Sequence, residues 1–302
     1  MVRESALRLN HAVQFQRVTL IGVGLLGGSL GLALRRQYPA VVITGVVRRP
    51  EARLEALHLG IVHTATTDAA SGVRDADLIV FCTPVGQMQA LAEQILPHVR
   101  PGAVITDVGS AKADVVRDLE TVFATRGVHF VGGHPMAGGE QMGMSAARAD
   151  LFDGAICVVT PTARSNREAV VALSDLWRSF GSRVFALDPA RHDAVVGRSS
   201  HLPHVAAAAL AGLILSPDAP PEQASLCSSG FRDTTRIASG SPEMWRDILL
   251  ANRGAVARAI QDLMDELAQV QSAVALGDGE RLEAFFATAK ERRDRWLSQH
   301  PG

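Results

Sequence analysis

Short β-branched runs alternate with longer amphipathic stretches through the first part of the chain. RVTLI (17–21), VVITGVV (41–47), DLIVFCTPV (77–85), AVITDV (103–108), HFVGG (129–133), AICVVTP (155–161) and RVFAL (183–187) predict strands. Between most of them, stretches such as 51–59, 86–97 and 111–126 place apolar residues at helical spacing. Strands that alternate with helices predict an α/β, doubly wound sheet, mostly parallel, with helices on both faces.

After Asp188 the strand pattern stops. DPARHDAVVGRSSHLPHVAAAALAGLIL (188–215) reads as one long helix, with Asp188 as N-cap and Pro189 at the first helical position. Pro203 should bend it or mark a junction. A proline-rich break at 217–221 leads to further helices. One opens at SPEMWRDILLANRGAVARAIQDLMDELAQVQSAV, where Ser241 caps and Pro242 takes the first position, and the last, arginine-rich, covers 279–298. The expected division is therefore residues 1–188, α/β, and 189–302, all-helical. No internal repeat or low-complexity tract is present.

The stretch VTLIGVGLLGGSLGLAL (18–34) joins a strand to a helix through Gly22-x-Gly24-x-x-Gly27. The first glycine permits a tight turn, the second admits a pyrophosphate, and the third lets the helix pack on the strand. This predicts a Rossmann-type dinucleotide site contacted by Gly22, Gly24, Leu26 and Gly27, with Thr83 and Pro84 after a neighbouring strand end. A glycine-rich turn that merely packs is the plainer alternative. The second strand ends GVVRRPEA: Val47 stands where NAD-binding units usually carry an acid, and Arg48 and Arg49 follow. A carboxylate would repel a 2′-phosphate and arginines would bind one, so NADP is the expected cofactor, with NAD possible. The plainer reading makes both arginines solvated surface charges.

Composition narrows the picture without changing it. The 302 residues suffice for two domains, and 47% hydrophobic content, 20% charge and a net charge of −1 describe an ordinary soluble chain. Nothing in that balance favours nucleic acid or a solvated acidic arm. Lysine occurs only at Lys112 and Lys290, and arginine supplies every other fixed positive charge. Cys82, Cys157 and Cys227 lie far apart among apolar neighbours, which predicts buried free thiols rather than a disulfide or a metal site. Residues 1–16 hold no apolar core for a signal peptide, and the longest apolar run, 205–215, is shorter than the about 20 residues a bilayer needs. The cytoplasm is the simplest compartment, with no membrane partner.

Three loops follow strand ends, where open parallel sheets bind their ligands. They carry Thr83-Pro84, Ser110 and Lys112 in DVGSAK, and His134 in GGHPMAGGEQMG. A histidine between glycines and a proline suits chemistry better than packing, although a loop histidine bonded to backbone is the alternative. His201 and His204 lie about one helical turn apart. They form a conceivable metal pair without a third ligand at useful spacing, so core or interface histidines are the stronger reading. GFRDTTR (230–236) carries Arg232, Asp233 and Arg236, and alone reads equally as a surface ion-pair cluster.

Together GVGLLGGSLG, TDVGSAK, GGHPMAGGE, LFDGAICVVTP, SHLPH and GFRDTTRIASGSPEMWRDI resemble the prephenate and arogenate dehydrogenases of tyrosine biosynthesis. The resemblance runs in order from about residue 17 to 295. It implies a nucleotide-binding domain followed by a helical dimerisation domain, and hence a homodimer. It also implies oxidative decarboxylation of prephenate or arogenate, with hydride transfer to NADP or NAD and no metal. By resemblance His134 is the catalytic group and Ser110 sits beside it. Arg236 binds the ring carboxylate, His204 helps to hold the substrate, and Ser200 and Asp233 fall in the same substrate-binding motifs. Glu140 and Trp245 also match motif positions, in supporting roles. One departure is visible: many members carry threonine where this chain has Gly139. Within these 302 residues no fused chorismate mutase and no C-terminal sensing domain of ACT type are expected. A 3-hydroxyacid or 6-phosphogluconate-type dehydrogenase is the nearest rival. Such enzymes generally rely on a lysine in the helical region, and none occurs between Lys112 and Lys290. A redox sensor that holds NADP without turnover is the rival of a different class.

Overall fold

In the computed structural model, which describes residues 15–139 and 141–300, six strands form one wholly parallel sheet. They are β1 (Arg17–Ile21), β2 (Val42–Val46), β3 (Thr64–Thr66), β4 (Leu78–Phe81), β5 (Val104–Asp107) and β6 (His129–Phe130), in the order β3-β2-β1-β4-β5-β6. The order reverses between β1 and β4, where Ile21 lies beside Phe81. The loops leaving these two strands open the crevice in which sheets of this kind bind ligands. Residues 1–14, nearly all of the N-terminal stretch that lacks a signal-peptide core, and Glu140 lie outside the described residues.

Period-two alternation sends Leu78 and Val80 to one apolar cluster and Ile79 and Phe81 to the other, all four buried. The first face is covered by α1 (Leu25–Gln37), α2 (Pro50–His58) and α6 (Arg167–Ser179), the second by α3 (Ala69–Val73), α4 (Val85–Ile95) and α5 (Ala113–Phe123). This is the expected doubly wound arrangement. Strand β3 was not predicted, because three polar-flanked residues carry no apolar alternation; Thr64 instead pairs its hydroxyl with that of Thr44 at 2.9 Å.

The run at 129–133 does not stay in one strand. After Phe130 the chain leaves the large sheet, and Gly132–Met136 forms β7 of a second sheet. There β7 pairs antiparallel with β8 (Ile156–Thr160), which pairs parallel with β9 (Arg183–Ala186). The glycines make this crossing possible. A Cβ on Gly133 would lie 2.8 Å from the Asp107 carbonyl oxygen, and one on Gly132 would run into the Thr160 hydroxyl. His134 is therefore a strand residue opposite Val158, not part of a loop.

Asp188 caps α7 (Pro189–Val196) as predicted, accepting from the Ala190 and Arg191 amides at 2.9 and 3.1 Å. The long helix expected through 215 is interrupted, because Gly197–His201 winds as a π turn before α8 (Leu202–Ile214). Pro203 accounts for the break: it lacks an N–H and its ring excludes the carbonyl of Ser199, one turn back. Next come α9 (Pro221–Ser225), α10 (Ser229–Thr235) and α11 (Pro242–Ala251), the last capped by the Ser241 hydroxyl on the Met244 amide.

The helix predicted from Ser241 onward does not run through. It stops at Asn252, whose side-chain amide donates to the Asp193 carbonyl at 2.8 Å. By their contacts the residues group into one compact unit ending at Asn252 and a second from Arg253, which holds α12 (Arg253–Leu276) and α13 (Gly279–Gln299). No described helix is long and apolar enough to cross a membrane. All three cysteines are free; Cys157 is buried, while Cys82 and Cys227 are only partly so.

Candidate active site

The glycine turn has the geometry its spacing predicts. Gly22 has φ +95°, and a Cβ there would stand 2.8 Å from the Cys82 carbonyl oxygen. A Cβ on Gly27 would run into the Gly22 carbonyl, so the helix packs directly on the turn. A Cβ on Gly24, by contrast, would meet nothing within 4 Å. Gly24 is the N-cap of α1 and supplies no side-chain cap, which leaves the first amides of the helix facing open space. Leu26, in that first turn, is half-buried and its side chain packs toward the core.

Across the crevice, Thr83 Oγ1 is buried without a hydrogen-bond partner, and Pro84 is the N-cap residue of α4. An open glycine cradle beside an orphaned hydroxyl fits a dinucleotide, whose phosphates and sugars supply the missing partners. Arg48 and Arg49 are exposed, and their side chains pair with none of the described residues. Val47, in contrast, is buried in the apolar cluster, and its amide donates to Thr66. Its side chain packs in the core, so Arg48 is the residue presented at this strand end. Gly139 also lies close to the turn: a Cβ there would have Leu25 as its nearest neighbour, at 3.8 Å. The threonine missing at this position would therefore have faced the nucleotide end of the crevice.

His134 is buried, and its Nδ1 lies 2.8 Å from Nε2 of His192 on α7. His192 Nδ1 in turn lies 2.8 Å from Asp193 Oδ1. The Asp193 carboxylate also accepts the Lys112 and Ala113 amides, both at 2.8 Å, at the start of α5. Ser110 sits half-buried in the loop leading there. That loop is pinned at its other end by Asp107, whose carboxylate accepts the Gly109 amide at 2.8 Å, the Gly133 amide at 3.1 Å and the Lys112 ammonium. Lys112 also donates to the Gly133 carbonyl at 2.9 Å. The buried Asp107–Lys112 pair thus ties the Ser110 loop to the residue preceding His134.

Electrostatics keep the His134 ring neutral. Burial pushes its pKa well below the ordinary histidine value, with the His192, Lys112 and His201 charges acting in the same direction. Burial also lowers Lys112, against the pull of Asp107, and raises the Cys82 and Cys157 thiols out of nucleophilic range.

Of the helical residues named from the sequence, His201 and His204 meet Trp245. The His204 ring lies over it at 3.9 Å between centroids, tilted by 30°, and the His204 Nδ1–H donates to the Ser200 carbonyl at 3.0 Å. His201 meets the same indole edge-on, and its Nδ1 contacts Asn252 at 3.2 Å. Burial pulls His201 down to about 4. Both histidines are thus packed against the indole, as the core reading expects. Arg236 opens the 3₁₀ turn Arg236–Ser239, which packs on α8. Arg232 and Asp233 are exposed on α10 and form no ion pair with each other. Sequence reasoning passed over His192, Asp193 and Asn252. Their only trace there is a His-Asp dipeptide on a helix, with no motif around it.

A parallel sheet with reversed strand order, an open glycine turn at the reversal and a buried neutral imidazole define a dehydrogenase that binds a nicotinamide dinucleotide. The chain belongs to the prephenate dehydrogenase family: models of the family's nucleotide-binding and dimerization domains match residues 30–186 and 188–288. A prephenate dehydrogenase of Bacillus subtilis (strain 168) is 36% identical over 92% of this chain and 75% of its own length. A cyclohexadienyl dehydrogenase of Zymomonas mobilis subsp. mobilis is 30% identical over 92% of this chain and 95% of its own. Among solved structures, the prephenate dehydrogenase of Aquifex aeolicus in complex with hydroxyphenyl propionate and NAD+ superposes with a TM-score of 0.88. It is 32% identical and covers 94% of this chain and 99% of its own.

Proposed function

We propose that this protein oxidises prephenate, arogenate or both with loss of carbon dioxide, giving 4-hydroxyphenylpyruvate or tyrosine. The observation that carries the reading is the buried His134 ring, held neutral and hydrogen-bonded on one side only. A neutral imidazole at this position accepts the proton of the ring hydroxyl as that carbon becomes a ketone. When bound, the nicotinamide dinucleotide takes up the hydride from the same carbon. The bond to the ring carboxylate then breaks, its electron pair enters the ring, and the proton held on His134 returns to the phenolic oxygen. Aromatisation drives the sequence.

Arg236 suits the ring carboxylate because its planar fork matches both oxygens. His204, stacked on Trp245 and anchored to the Ser200 carbonyl, is held with Nε2 free to meet the substrate. Ser110 stands in the loop between β5 and α5, and Asp233 is exposed on α10, three residues before Arg236. The open turn of Gly22, Gly24 and Gly27, with Thr83, holds the pyrophosphate half of the cofactor. Residues 1–188 bind the dinucleotide, and 189–302 hold substrate and pair two copies, a division supported by the matched ranges 30–186 and 188–288. The exposed apolar side chains Leu213, Leu226 and Leu250 in the first unit, and Met264, Leu276 and Phe286 in the second, suit burial in a homodimer.

Initial rates with each substrate, each with NAD and NADP, test the reading; no reduced nicotinamide with either substrate would overturn it. NADP is the expected cofactor, because Arg48 and Arg49 are exposed and unpaired. Charge-assisted hydrogen bonds contribute roughly 1.5–3 kcal/mol each. Exposed ones fall near the lower bound, so kcat/KM should favour NADP by about tenfold or more. Replacing Arg48 by Asp and Arg49 by Ser should abolish that preference; Val47 is the wrong site, since a carboxylate there would be buried. A wild type that prefers NAD would make both arginines surface charges.

The pH profile follows from His134. Imidazolium cannot accept a proton, so kcat/KM must fall as pH drops through the pKa of that ring. Because burial lowers this pKa, rates should stay level from neutral through pH about 6.5, the ordinary histidine value, and decline only well below it. A half-maximal point at or above the ordinary value would contradict the buried site.

A further inference from the structure

Of the two ring nitrogens of His134, only one with a free lone pair can take a proton. The proposed reaction therefore depends on which nitrogen keeps the single proton of the neutral ring. The Asp193 carboxylate only accepts, and it already receives the Lys112 and Ala113 amides at 2.8 Å. His192 Nδ1, 2.8 Å from Asp193 Oδ1, must carry a hydrogen, since the reverse would set two lone pairs against each other. With its ring hydrogen placed at Nδ1, the fully buried His192 presents a lone pair at Nε2. That atom lies 2.8 Å from His134 Nδ1, which must be the donor.

We infer that His192, fixed by Asp193, is a positioning residue that locks His134 as the Nδ1–H tautomer and leaves Nε2 as the proton acceptor. The two rings meet nearly edge-on, at 69° with centroids 5.0 Å apart, so the hydrogen bond and not a stack holds them. The same bond serves both protonation states of His134. Once Nε2 has taken the substrate proton, Nδ1–H still donates to His192, now from a cation and therefore more strongly. Burial opposes that cation, and His192, Lys112 and His201 act in the same direction. The role of Nε2 as base rests on the proposed function, whereas the tautomer is a property of the free enzyme.

The test uses full-length protein labelled with 15N in its histidines, with the His134 signals assigned by their loss in His134→Asn. Near neutral pH, long-range proton–nitrogen spectra should show His134 with a protonated Nδ1 and a bare, pyridine-type Nε2. In His192→Leu the lock is gone: Nε2 should carry a proton in part of the population. kcat should then fall about ten- to hundredfold, with KM for substrate and cofactor within about twofold. His192→Gln, whose side-chain carbonyl can accept from Nδ1, should recover most of the tautomer and most of the rate. A wild-type His134 protonated on Nε2 overturns the inference, as does an unchanged tautomer in folded His192→Leu. If the leucine variant does not fold, the wild-type spectrum decides alone. The expected tautomer without turnover of either substrate would overturn the proposed function and leave the positioning role standing.

Discussion

His134→Asn is expected to lower kcat by about 10²–10⁴-fold, the range typical of losing a positioned general base. Asparagine is close in volume, and its amide can still donate to His192 Nε2, so the 2.8 Å contact need not be lost with the base. The Kd for dinucleotide should stay nearly constant, because the glycine turn and Thr83 lie on other strand ends. Stopped-flow hydride transfer, with cofactor binding followed by fluorescence, separates the two quantities. Near-normal turnover would remove His134 from the chemistry, and equal losses in turnover and cofactor affinity would point to a collapsed site.

Lys112→Met should produce the largest loss of stability. Lys112 and Asp107 are both fully shielded from solvent, and the ammonium bridges the Asp107 carboxylate and the Gly133 carbonyl. Removing it leaves a carboxylate in the interior with only the Gly109 and Gly133 amides for compensation. Breaking one side of a buried pair costs about 3–5 kcal/mol. At roughly 2–4 °C per kcal/mol for a domain of this size, Tm should fall by about 10 °C. Asp107→Asn in the same chain should restore part of this, since it removes the unpaired charge while keeping an acceptor for one amide. Thermal unfolding of the three variants checks the pair; a Tm change of a degree or two for Lys112→Met would show that the charge is not confined as described. Turnover should fall as well, because Gly133 immediately precedes His134.

The features legible in the chain were local ones. Arg17–Ile21 is a strand as read, Asp188 and Ser241 cap as read, and Gly22 takes the left-handed φ its motif requires. Each depends on a few neighbouring residues, and the sequence shows those directly. What stayed hidden depends on distance along the chain. His192 reaches His134 across 58 positions, and Asn252 reaches Asp193 across 59. No spacing rule connects such residues. The transfer of 132–136 to a second sheet was hidden for another reason. Glycine looks the same in a turn, a strand and a crossing, and only the position of Thr160 and Asp107 tells them apart. Val47 shows the converse error: its place at a strand end was read correctly, but the direction of its side chain was not, because period two sends it into the core.

The π turn at Gly197–His201 sets an angle as well as a break. An α-helix advances about 100° per residue, and a π turn winds in one more residue than the regular helix would. The azimuth of α8 is therefore determined by the number of residues in the turn. Their identity matters far less. If all of them wound as regular α-helix instead, α7 and α8 would both still form, yet His204 would swing by about 100° off Trp245. Loss of one residue here should convert the stretch to regular helix and keep His204 facing Trp245, whereas a further insertion should turn it away.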